Sequence, residues 1–166
     1  MSAKRNILVA YFSCSGVTEN VAKTLAKSVM ADVHEIKPEA PYTAADLNWN
    51  NPQSRSSLEM NNPSARPAIG GASVNLDKYD TIFLGFPIWW YVAPKIINTF
   101  LESYDFSDKT IVPFATSGGS GLGKTEENLY TSCSESTKWL PGKLLNRSFS
   151  EEDATAWINS LGLDIG

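Results

Sequence analysis

Three stretches of this sequence carry residue types suited to holding a ligand rather than only to packing. The first is Ser13-Cys14-Ser15-Gly16-Val17-Thr18. Hydroxyls recur through it, Gly16 frees the backbone, and a helical pattern starts at once. A helix N-terminus presents unpaired N–H groups and the positive end of a dipole, so this loop suits a phosphate even without Lys or Arg. An ordinary serine-capped turn fits the same residues. Cys14 before a helix would also suit a phosphatase nucleophile, but that chemistry needs an arginine six residues on, and position 20 is Asn20.

The second stretch is Pro87-Ile88-Trp89-Trp90-Tyr91. Three consecutive large aromatics in a connection cannot all enter a core, and left bare they form a sticky patch. Either a flat ring system stacks on one or two of them, or they pack beneath the long segment 38–78. The third stretch begins at Thr116 and runs through Ser117-Gly118-Gly119-Ser120-Gly121 to Lys124-Thr125. Residues 118–125 match the ATP-binding pattern GxxxxGK followed by Ser or Thr. The context opposes that reading. The pattern stands late in the chain, and no later apolar run ends in the Asp that would help hold magnesium. The glycines are better suited to letting backbone lie against a ligand edge.

The elements that must position these loops are legible from periodicity. Residues 6–12 form a continuous apolar run, as a buried strand does, and Val17, Val21, Leu25 and Val29 then recur at helical spacing up to Met30. A short strand over Val33–Lys37 follows, and Pro38 ends it. Residues 38–78 are rich in Asn, Pro and Ser, with short helices expected around Ala44–Trp49 and Ser54–Asn61. Thr81–Phe86 reads as the clearest strand. A helix opens at Pro94 and buries Ile96, Ile97, Phe100 and Leu101. Thr110–Thr116 reads as a strand, Leu122–Ser134 as a helix, Gly142–Asn146 as a last strand and Glu151–Leu161 as a last helix. This order predicts an α/β fold, a doubly wound parallel sheet in which ligands sit beyond the C-terminal strand ends. All three loops leave such ends.

The chain of 166 residues suits a single domain over 1–166. With 42% hydrophobic and 19% charged residues it can build a core. A net charge of −4 argues against nucleic acid, which requires a basic face. No apolar run approaches the roughly 18 residues that cross a membrane, and the first residues lack the pattern of a signal peptide. Cys14 and Cys133 have no metal-ligand spacing and read as free thiols of a reducing cytoplasm.

Taken together, the loops resemble the flavodoxin family. Tyr11-Phe12-Ser13-Cys14-Ser15-Gly16-Val17-Thr18-Glu19-Asn20 is similar to its phosphate-loop signature. Gly85-Phe86-Pro87-Ile88-Trp89-Trp90, followed by Pro94, resembles the isoalloxazine loop of a bacterial branch with a PxWW motif. Ala115 to Gly121 resembles the loop at the other flavin edge. Pro41-Tyr42-Thr43, Asp46-Leu47, Ser54-Arg55, Glu59 and Arg66-Pro67 are similar to the same branch.

The resemblance implies a five-stranded sheet of order 2-1-3-4-5 and one FMN across the three loops. Ser13, Cys14, Ser15, Gly16, Val17 and Thr18 would hold the phosphate. Pro87, Ile88, Trp89, Trp90 and Tyr91 would frame the ring, and Thr116, Ser117, Gly118, Gly119, Ser120 and Gly121 would meet its pyrimidine edge through the backbone. The implied role is that of an electron carrier between redox partner proteins, a reductase or a ferredoxin-type acceptor, rather than that of a turnover enzyme. Two departures keep an FMN-dependent NAD(P)H:quinone-type reductase in view: the third loop has no tyrosine, and residues 87–91 contain no glycine. A non-redox binding module on the same fold is the third alternative. The oligomeric state stays open.

Overall fold

The computed structural model describes residues 6–14, 16–48, 50–62, 64–71, 73–88, 93–116, 129–130, 132–140, 142–145 and 149–161. Strand β1 (Ile7–Tyr11) leads into helix α1 (Val17–Val29), and β2 (Asp32–Glu35) returns beside β1. A two-residue strand β3 (Lys37–Pro38), helix α2 (Arg55–Met60), β4 (Ile69–Gly70) and a 3-10 turn at Leu76–Lys78 make up the next stretch. Then come β5 (Thr81–Pro87), α3 (Lys95–Ser103), β6 (Thr110–Thr116), β7 (Lys138–Trp139), β8 (Lys143–Leu144) and α4 (Glu151–Ser160).

The main sheet has the order β2-β1-β5-β6-β7, with β8 also on β6, and every pairing in it is parallel. This is the doubly wound arrangement expected from the sequence. Its two faces are written in the alternation of each strand. Leu8, Ala10, Phe12, Ile82, Leu84, Phe86 and Ile111 face α3 and pack on Ile96, Ile97, Phe100 and Leu101. Ile7, Val9, Tyr11, Phe83, Val112 and Phe114 face the other way, toward Val21, Ala22 and Leu25 of α1 and Ala154, Trp157 and Ile158 of α4. Phe83 and Trp157 meet edge to face with centroids 5.5 Å apart. A capping box between Ser150 and Asp153 fixes the start of α4.

The fifth position of the sheet is filled by β7 and β8 in succession. Thr110 and Ile111 pair with Lys138 and Trp139, whereas Phe114 and Ala115 pair with Lys143 and Leu144. Between the two pairings the fifth strand advances four residues, from Trp139 to Lys143, while β6 advances three, from Ile111 to Phe114, so the register shifts by one. The sequence carries the strand-breaking pair Pro141-Gly142 between β7 and β8, and β6 adds a second proline from across the ladder. The carbonyls of Lys109, Ile111 and Ala115 accept from this fifth strand, so Pro113, which alternates with them, turns the same edge toward it. Proline has no N–H to give there. The strand expected over Gly142–Asn146 forms as β8, and β7 over Lys138–Trp139 precedes it where no strand was expected.

The excursion over residues 38–78 also departs from expectation. β3 and β4 pair antiparallel and close it as a ribbon. The helix expected at Ser54–Asn61 forms as α2, capped by Ser54. Residues 44–47 form a single turn rather than the expected helix: Thr43 and Asp46 exchange side-chain-to-backbone bonds of 3.0 and 3.1 Å as at a helix start, and Leu47 N–H donates to Thr43 O at 3.1 Å, but the pattern stops there. The helix expected over Leu122–Ser134 lies mostly outside the described residues, and Ser132 and Cys133 are already in turns bonded to Leu129 and Tyr130.

Candidate functional site at the C-terminal strand edge

β1, β5 and β6 lie side by side and end together, which brings the starts of the three sequence-predicted loops to one edge of the sheet. Tyr11 is level with Gly85, and Pro87 with Thr116. Backbone bonds continue past the strands: Phe12 N–H donates to Gly85 O at 3.0 Å, and Ile88 N–H to Thr116 O at 2.9 Å.

The first loop turns at Gly16, which has φ +89° and serves as the N-cap of α1. Side chains with a Cβ rarely adopt that conformation. A Cβ built there would meet nothing within 4 Å, so the space over the turn is open. Ser13 Oγ accepts from Gly16 N–H at 3.1 Å, which tightens the turn. Among the described residues no side chain caps α1. A helix start of this kind, with the positive end of its dipole beside an open turn, suits an anion. Thr18, in the first helical turn, is buried, and its hydroxyl lies 2.7 Å from that of Thr116 on β6.

Cys14 stands exposed on this loop. The protein mass behind it still pushes its thiol up to about 11, while Arg55 pulls the other way. A thiol held protonated in this way is a poor nucleophile, in keeping with the exclusion of phosphatase chemistry.

The influence of Arg55 was not legible from the loops themselves. Tyr42 packs edge-on against Phe12, the residue that opens the first loop, with centroids 5.7 Å apart. Arg55 lies over the other part of this contact, its guanidinium carbon 3.8 Å from the Tyr42 ring centre. Its Nε donates to Glu59 at 3.1 Å and its Nη1 to Ala40 O at 2.6 Å. Tyr42 donates its hydroxyl to the same Glu59. Burial and that bond push the Tyr42 phenol well above its ordinary value. Segment 38–78 thus braces the first loop. The i,i+4 pair Arg55–Glu59 is readable from spacing, but its position around Tyr42, which packs on Phe12, is a tertiary fact without a local signal.

A second anchor ties the excursion to α3. Arg66 grips Glu102 with two bonds of 2.9 Å each, and Ser132 donates to Glu102 at 2.9 Å. The guanidinium holds the Glu102 carboxyl below the usual range.

Of the residues singled out, Ser13, Cys14, Gly16, Val17, Thr18, Pro87, Ile88 and Thr116 are placed at this edge. Ser15, Trp89, Trp90, Tyr91, Ser117, Gly118, Gly119, Ser120 and Gly121 lie outside the described residues, as do Lys124 and Thr125. Among the described residues no group of His, Cys, Asp or Glu could hold a metal, and no helix is long and apolar enough to cross a membrane.

A doubly wound sheet whose ligand edge combines an uncapped helix N-terminus with two further loops defines a class of nucleotide- and flavin-binding folds. Within that class the chain belongs to the flavodoxin family, whose model matches residues 6–161. It is similar to a candidate flavoprotein from Bacteroides eggerthii DSM 20697, with 47% identity over 96% of this chain and 99% of that one, at a TM-score of 0.91. A second, from Bacteroides uniformis ATCC 8492, shares 47% identity over 95% and 99%, with a TM-score of 0.88. A flavoprotein from Lactobacillus acidophilus NCFM, solved in complex with FMN, shares the fold with a TM-score of 0.71 at 17% identity, over 96% of this chain and 99% of that one. No curated protein matches the chain.

Proposed function

We propose that this chain binds one FMN non-covalently at the C-terminal strand edge and carries electrons between redox partner proteins. The observation that carries this reading is the uncapped, glycine-turned start of α1 opening beside the ends of β5 and β6. The residues present fit the group. Ser13, Gly16, Val17 and Thr18, with Cys14 and Ser15 between them, would hold the phosphate through backbone N–H groups and hydroxyls. Pro87, Ile88, Trp89, Trp90 and Tyr91 would flank the ring, and Thr116 to Gly121 would line its polar edge. FMN supplies the redox chemistry when bound. The chain contributes binding, exclusion of water and electrostatic tuning.

Tuning follows from charge. The chain carries −4 net, and Arg55, near the phosphate loop, is already engaged by Glu59 and faces Asp46 at 4.0 Å. A negative surround disfavours added negative charge on a bound ring, although salt screens it beyond about 10 Å. Two separate one-electron steps are the expected consequence. An anaerobic redox titration followed by absorbance tests this: two resolved steps support the carrier.

A second reading, a reductase of quinone-type acceptors, is favoured by one observation: residues 117–121 contain no aromatic to cover the far ring face. A single two-electron step, together with steady NAD(P)H oxidation without a partner protein, would establish that reading instead.

A further inference from the structure

Thr116 is where the three loops meet. It ends β6 and begins the third loop. Its carbonyl accepts from Ile88 N–H at 2.9 Å, which ties it to the second. Its hydroxyl lies 2.7 Å from Thr18 Oγ1, which ties it to the first. Thr116 is 4% exposed and Thr18 1%, so water does not substitute freely for either partner.

Two hydroxyls in contact share one proton between their oxygens, and either can be the donor. A phosphate breaks this symmetry because it only accepts at full ionisation. If Thr18 is to donate to phosphate, it has no proton left for Thr116, and Thr116 must donate to it. The bond then polarises the Thr18 hydroxyl and strengthens its donation.

Resting on the FMN reading above, we infer that Thr116 is a positioning residue for the flavin phosphate: its hydroxyl donates to Thr18 and turns the Thr18 proton toward the anion. The β6 end thereby senses whether the first loop is occupied, although its own backbone belongs to the ring edge. The reverse direction, Thr18 donating to Thr116, would instead serve the ring edge and leave the phosphate untouched.

The two directions separate in the ratio of FMN to riboflavin affinity, since riboflavin lacks only the phosphate. Affinities are read by fluorescence quenching on the full chain. Thr116→Val keeps the volume and removes the donor. It is expected to lower the FMN-over-riboflavin preference by about fivefold, the scale of one hydrogen bond. Thr116→Ser is expected to restore the preference. In a Thr18→Val background, Thr116→Val is expected to cause no further loss, because it acts only through Thr18. Thr116→Cys, a weaker donor, replaces the valine variant if that one fails to fold. A preference unchanged in Thr116→Val, an equal loss for both flavins, or full additivity with Thr18→Val overturns the inference alone. Equal affinity of the wild type for both flavins overturns the phosphate assignment and the inference with it.

Discussion

Replacing Gly85 with alanine tests how the sheet presents the second loop. Gly85 lies opposite Phe114 in the β5–β6 ladder, two residues before Pro87. A Cβ at position 85 would fall 2.2, 2.4 and 2.9 Å from three atoms of the Phe114 ring. Carbon atoms rest at about 3.5–4.0 Å, so the ring must withdraw by more than about 1 Å. Both Phe114 and its neighbours Val112 and Phe83 are 0% exposed, which leaves no room for that shift. Overpacking of this kind costs about 1–3 kcal/mol. The opposing benefit, a less flexible unfolded chain, is only about 0.4–1 kcal/mol. The clash wins, and the thermal midpoint should fall by about 2–4 °C for each net kcal/mol in a domain of this size. Phe114→Leu in the same chain should recover part of the loss, so that the double variant is more stable than the sum of the two single effects. Thermal and urea unfolding followed by circular dichroism measure all three. A Gly85→Ala midpoint within about 1 °C of wild type, where at least about 2 °C per kcal/mol is expected, or strict additivity with Phe114→Leu, refutes the argument.

Trp90→Ala should weaken FMN by about 1–3 kcal/mol if the ring stacks there as bases stack on aromatics; unchanged affinity in a fluorescence titration would remove Trp90 from the site. The Cys14 thiol, pushed up to about 11 by burial, favours the fold in its protonated form. Its contribution is complete below the unfolded value of about 8.5 and is lost as pH rises through about 11. Cys14→Ser should therefore flatten the alkaline loss of stability, and native Cys14 should alkylate more slowly at pH 8 than the unfolded chain; equal rates would contradict the shift. Lys124→Ala should leave calorimetric titration with Mg-ATP flat, as it is expected to be for the wild type, whereas micromolar binding abolished by the substitution would restore the ATP-binding reading of residues 118–125.

The architecture was legible because each buried strand is a long apolar run closed by a distinct turn. Residues 6–12 and 110–116 are such runs, and the spacing of Val17, Val21 and Leu25 marks the helix between strands. The interrupted fifth strand was missed although Pro141-Gly142 marks a break between Trp139 and Lys143; the part played by Pro113 on the neighbouring strand had no local signal. Pairing across strands has no local signature. The turn at residues 44–47 read as helix because Thr43 and Asp46 do make a helix start, a reciprocal capping pair, and no local signal says that it ends after one turn. At the candidate site, Gly16 and its hydroxyl neighbours announced the turn that opens α1, because a left-handed turn before a helix has few sequence solutions. The bracing of that loop by Tyr42 and Arg55 depends on chain returning about thirty to forty residues later, a distance over which periodicity says nothing.

The central claim is that the first loop recognises a flavin by its phosphate, and a fluorescence titration of FMN with the full chain tests it most directly. The account predicts quenching to a sharp end point at one FMN per chain, with riboflavin binding far more weakly, because each lost hydrogen bond to the charged group costs about 1.5–3 kcal/mol. FMN fluorescence that stays unquenched, or riboflavin binding as tightly as FMN, would contradict it.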